Sequence, residues 1–135
     1  MLALPVAAGA SDATLRTTLA TWSQRIAGDA QGIGLSARNR HPRRMTRRAG
    51  HFRADALRAV HAVSLVRAAS DRGRRAKRIG LRAFRDYAVV GREWALSGQA
   101  RIQGRKLVAA AHARTAGRYA TAANRLLLAA HGLLR

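Results

Sequence analysis

A chain of 135 residues with 26 Lys and Arg against 6 Asp and Glu carries a net charge of +20 and contains no cysteine. That size fits one domain around a single modest core. The absent thiols exclude disulfides and thiolate metal ligands, and charge of this density favours a polyanionic partner.

Alanine supplies 31 residues, whereas Phe, Trp and Tyr together supply six. Alanine favours helix and disfavours sheet, so the composition predicts an all-α fold: a three- or four-helix bundle, or a long helical hairpin, with an Arg-rich linker. Twenty-four of the 26 basic residues are arginine, whose planar fork grips phosphate bidentately; codon bias in a GC-rich genome would enrich it as well.

The opening "MLALPVAAGA" is apolar but lacks a basic leading region and holds a proline, so no secretory signal is expected. No run approaches the roughly 18 apolar residues of a membrane span. The chain reads as intracellular, cytoplasmic or nucleoid-associated, and not secreted.

In "SDATLRTTLATWSQRIAGD" the residues Leu15, Leu19, Trp22 and Ile26 fall at helical steps, with Ser11 or Asp12 as cap and Gly28 as stop. A first helix is expected near residues 12–27. Residues 28–48 hold Gly28, Gly32, Gly34, Asn39 and Pro42 and few large apolar groups, so they read as a flexible linker. Its second half opens the stretch "ARNRHPRRMTRRAGHFR", with seven arginines and no acid. A second helix is expected near 50–70, carrying Phe52, Ala56, Ala59, Val63 and Val66 on one face.

"SDRG" marks a break with Asp71 as a plausible cap, and a third helix is expected near 74–97. Ile79, Ala83, Tyr87, Val90 and Trp94 share one face of it, opposite Arg78, Arg82, Arg85 and Arg92. A fourth helix is expected near 100–131, either separate from the third or continuous with it. "VVGREWALSGQAR", "IQGRKLVAAAHAR" and "TAGRYATAANRLL" repeat Gly-Arg at a period of 13, which does not return to one helix face. Chance explains it in an Ala-, Arg- and Gly-rich chain. Otherwise Gly91, Gly104 and Gly117 mark close approaches of a backbone or a phosphate.

Two basic clusters are candidates for contact with a phosphate backbone. The first is Arg38, Arg40, Arg43, Arg44, Arg47, Arg48 and Arg53, read as an arm that folds along its ligand. The second is Arg72, Arg74, Arg75, Lys77 and Arg78, continued by Arg82, Arg85 and Arg92. Positive charge at the start of a helix opposes its dipole, a conflict that a bound phosphate would remove. Most aromatics fall at core positions; Phe84 is set off from its stripe and is the candidate for base stacking.

Catalysis finds little support. Asp55, Asp71, Asp86 and Glu93 each have an arginine within four positions and read as paired surface charges. His41, His51 and His61 recur every ten residues, which matches no ligand pattern, so neither a metal nor a cofactor is expected. "GIGLSA" at 32–37 mimics a dinucleotide fingerprint but has no strand before it.

The expected function is non-enzymatic, sequence-tolerant nucleic-acid binding, as a structural subunit of a ribonucleoprotein or as a DNA-compacting protein. The alternatives are a scaffold docking on an acidic protein, or self-association, through Leu126, Leu127, Leu128, Leu133 and Leu134. An amphipathic membrane-surface protein is the weakest of the three.

Overall fold

Small or apolar residues recur at alternating steps of three and four through most of the chain. The computed structural model, which describes residues 10–135, folds them into four helices: α1 (Asp12–Arg38), α2 (Pro42–Ser64), α3 (Asp71–Ile102) and α4 (Lys106–Leu133). Each has its own seam. On α2 it is Met45, Ala49, Phe52, Ala56, Ala59 and Val63, all buried. On α4 it includes Ala109, Ala116, Ala123 and Ala130, one alanine every seven residues. A strict seven-residue repeat keeps one face toward a neighbouring helix along its whole length, and alanine lets the two axes come close.

The helices run up, down, up and down. Asp12 at the start of α1 accepts from the N–H groups of Ala69 (2.8 Å) and Ser70 (3.4 Å), just before α3. Arg16 reaches the Leu134 carbonyl beyond α4 at 3.4 Å. Successive helices pack along their lengths, whereas α1 meets α4 only briefly. Between these two lies an apolar cleft of about 690 Å³, floored by Phe52, Tyr87, Val90 and Trp94.

The linker expected over residues 28–48 is helical except for a three-residue turn at 39–41. Gly28, Gly32 and Gly34 do not end α1, because its seam continues through Ile33 and Ser36. Packing on α2 outweighs the roughly 1 kcal/mol that each mid-helix glycine costs. The turn is a Schellman motif: His41 N–H donates to the Ser36 carbonyl at 2.9 Å, and Arg40 N–H to Ala37 at 3.2 Å. Its left-handed residue is Arg40, at φ 56°. Pro42 then opens α2, where a missing N–H costs nothing.

The other boundaries also moved. α2 ends at Ser64, and the Lys77 ammonium donates to the carbonyls of Ser64 (3.0 Å) and Val66 (2.7 Å) at its end. The cap of α3 is Ser70, whose hydroxyl accepts from Gly73 N–H at 2.9 Å; Asp71 occupies the first turn. α3 passes through Ser97 and Gly98 because both are buried; the Ser97 hydroxyl donates to the Ala109 carbonyl of α4 at 2.9 Å. The break comes at a second Schellman turn, where Arg105 N–H donates to Ala100 at 2.8 Å and Gly104 adopts φ 72°.

The three regularly spaced glycines serve different ends. Gly91 sits against Arg53 so closely that a Cβ would come within 2.8 Å of the Arg53 backbone nitrogen. Gly104 supplies the left-handed turn, and Gly117 faces open space.

Phe84 is fully buried and packs on Tyr87 with ring centroids 6.3 Å apart, so it is not a free stacking platform. Of the five terminal leucines, Leu127 and Leu134 are buried, Leu126 and Leu133 are partly buried, and only Leu128 is well exposed. Among the described residues no helix is long and apolar enough to cross a membrane. The expectation for the opening apolar segment falls on residues 1–9, outside the described ones.

Candidate nucleic-acid interface

The two Schellman turns stand at the same end of the bundle, and basic side chains from both gather there. One cleft of about 540 Å³ there is lined by His41, Pro42, Arg43, Arg44, Arg47, Arg101 and Ile102. A second, of about 460 Å³, includes Arg40, Arg101 and Lys106. Neither cleft contains an acidic residue. Arg101 and Lys106 were absent from the sequence-derived set. Their signal was the stretch "RIQGRK" at 101–106, which places basic side chains on both sides of a glycine that can reverse the chain.

The sequence-derived residues do not form one site. Arg38, Arg40, Arg43, Arg44 and Arg47 belong to this end, whereas Arg72, Arg74 and Arg75 stand at the start of α3, at the opposite end of a helix ~48 Å long. The second cluster is also partly committed within the protein. Arg74 pairs with Asp71, and Lys77 bonds the end of α2. The N-terminus of α3 already has an acceptor in Ser70 and a negative charge in its first turn from Asp71, so no phosphate is needed to relieve it.

Between the ends, Arg75, Arg78, Arg82, Arg85 and Arg92 are exposed on the outer face of α3 and form a stripe ~26 Å long. Arg53 is exposed on α2 beside Gly91, next to the upper end of that stripe. Among the described residues only Arg58, Arg74 and Arg92 have a carboxylate within ion-pair distance.

The acids are placed differently from the expected surface pairs. Asp71 with Arg74 is one, and Asp86 is half-buried with no ion pair among the described residues. Asp55 and Glu93, however, are buried, 2% and 8% exposed. Glu93 Oε2 lies 2.6 Å from Nδ1 of His112, which bridges α3 to α4.

Asp55 Oδ1 accepts from Arg58 at 2.9 Å, and its Oδ2 lies 3.3 Å from His51 Nε2. The same His51 nitrogen is 3.8 Å from Asp29 Oδ1 across the α1–α2 interface. Continuing the steps of Leu15, Leu19, Trp22 and Ile26 lands on Asp29, Ile33 and Ser36. That signal places a carboxylate at a core position of α1, and the reading that stopped at Gly28 missed it.

Burial, then the neighbouring Asp55 carboxylate, pushes the Asp29 carboxyl up to about 6. For Asp55, burial acts upward but is outweighed by hydrogen bonds from Asp29 and Arg58, which hold it below the usual value. Asp29 can donate to Asp55 only while it keeps a proton; as a carboxylate, its buried Oδ2 has no donor.

Comparison of the chain with protein-family models, curated proteins and solved structures gave no match.

Proposed function

We propose that this protein binds nucleic acid without catalysing a reaction and with little regard to sequence, through phosphate contacts from exposed arginines. The observation that carries the reading is the acid-free end of the bundle. There Arg40, Arg43, Arg44, Arg47, Arg101 and Lys106 converge around two clefts. The α3 stripe supplies a second line of contacts.

Helices fix the spacing of these guanidinium groups without fixing a base-reading geometry, and the one aromatic offered for stacking is buried. Both features favour recognition of the backbone over recognition of bases. Service in a ribonucleoprotein and compaction of DNA are the two settings that fit. Docking on an acidic protein through the terminal leucines has less to stand on, because most of that apolar surface packs inside the bundle.

Fluorescence anisotropy with duplex DNA, a structured RNA and heparin, each titrated with salt, tests the proposal. Contact with six to ten phosphates predicts an affinity loss of roughly 10³–10⁵-fold between 50 and 200 mM salt. Replacing Arg43, Arg44, Arg47 and Arg101 by glutamine should flatten the log–log slope by about 0.9 per lost contact on DNA. Equal, weak binding to all three polymers, unchanged in this variant, would reduce the arginines to a charged surface.

A further inference from the structure

The acids in this chain are scarce, yet two of the six meet inside the α1–α2 interface beside a histidine. We propose that Asp29, His51 and Asp55 form a binding site for a divalent first-row transition metal of the zinc type. The nucleic-acid reading does not bear on it.

Geometry comes first. The three side chains offer one ligand atom each, all within 4.8 Å of one another. A tetrahedral ion with bonds near 2.0 Å requires neighbouring ligands about 3.3 Å apart. His51 Nε2 stands 3.3 Å from Asp55 Oδ2 and 3.8 Å from Asp29 Oδ1, so small rotations complete the set. His51 and Asp55 are one helical turn apart on α2, and Asp29 faces them from α1. Helical bundles build metal sites in this way, from side chains on facing helices.

The surroundings supply the second argument. Asp29 Oδ2 is buried and has no hydrogen-bond partner, in a chain with 24 arginines. Arg44, Arg47 and Arg48 line the same cleft, yet none of them donates to it. A cation between the two carboxylates would neutralise this acid, with Oδ1 or, after a rotation of the carboxylate, Oδ2 as the ligand atom. Arg58 holds the other oxygen of Asp55 from outside, as the supporting partner of a metal ligand does.

One imidazole and two carboxylates suit zinc, cobalt or manganese. Calcium needs six to eight oxygens, and magnesium disfavours the nitrogen. The fourth position opens to a cleft of about 420 Å³ lined by Arg44, Arg47 and Arg48, so water or an anionic oxygen would complete the coordination.

The test is calorimetric titration of the full chain with Zn²⁺, together with the visible absorption of Co²⁺ at the same site. His51→Ala and Asp29→Asn are the informative variants. His51 is mostly exposed and asparagine matches aspartate in shape, so both should keep the wild-type helical circular dichroism. One equivalent of Zn²⁺ is expected, with tetrahedral Co²⁺ bands, and each variant should weaken binding by at least about tenfold. His61→Ala, an exposed histidine outside the cluster, should bind as wild type does. No stoichiometric binding by the wild type, or a loss below tenfold in either variant, overturns the site.

Discussion

The molecule contains two helical hairpins of the same plan, α1–α2 and α3–α4, and they solve the same problems differently. Each closes in a three-residue Schellman turn at the basic end, and each buries an acid beside a histidine. In α3–α4 the turn uses Gly104, and the single buried acid Glu93 has His112 at 2.6 Å and Arg92 at 3.5 Å. In α1–α2 the turn puts Arg40 in the left-handed position, and one histidine faces two carboxylates. The second hairpin is locally consistent. The first carries a strained residue and an unmatched acid, and the charged clefts gather around it.

Substitutions should separate the two. The largest effect belongs to the seam that joins them: Gly91→Ala forces a Cβ onto the Arg53 backbone. It should cost about 2 kcal/mol, read as a lower urea midpoint at unchanged slope.

His112→Ala should cost nearly as much, also about 2 kcal/mol, because it strips a buried carboxylate of its close partner. His51→Ala should cost less than about 1 kcal/mol, since Asp55 keeps Arg58. Equal costs for the two histidines would erase the contrast.

The turns should respond with opposite signs. Gly104→Ala is expected to lose ~1–2 kcal/mol, and Arg40→Gly to gain up to ~1 kcal/mol, by relieving left-handed strain. Gly28→Ala, where a Cβ meets nothing within 4 Å, should gain ~0.5–1 kcal/mol in the same denaturation series.

The acids give the most diagnostic effects, because theirs change with pH. Asp29 is raised by folding from 3.8 to about 6, so its contribution is complete below pH 3.8 and fades as pH rises through about 6. In the presence of a chelator, Asp29→Asn should remove that decline. Asp12 behaves in reverse. Hydrogen bonds from Ser70 and Ala69 lower it, so its contribution holds above pH 3.8 and is lost as pH falls through the lower folded value. Asp12→Asn should lower stability at neutral pH and flatten the acid limb of the profile.

Much of this was readable in advance, but unevenly. The all-helical class and the α3 stripe were plain because alanine content and helical spacing act locally. The α1–α2 corner was misread for two reasons. Gly28, Gly32 and Gly34 carry a stop signal that neighbouring packing overrides, and an arginine in a left-handed turn has no compositional marker. Asp29 was legible in principle, since it continues the spacing of Leu15, Leu19, Trp22 and Ile26. Asp55 and Glu93 were passed over because an arginine nearby in sequence suggested surface pairing, although each lies three residues after a core residue, Phe52 or Val90.

The amino-acid sequence alone determined the helical class, the excess positive charge and the repeating seams. All three follow from residue propensity and from spacing within a single helix. Only the tertiary structure decided which basic clusters meet, that Lys77 is committed within the fold, and that Asp29, His51 and Asp55 converge. These depend on the register between helices, set by the packing of complementary seams across turns whose direction a single chain segment does not encode.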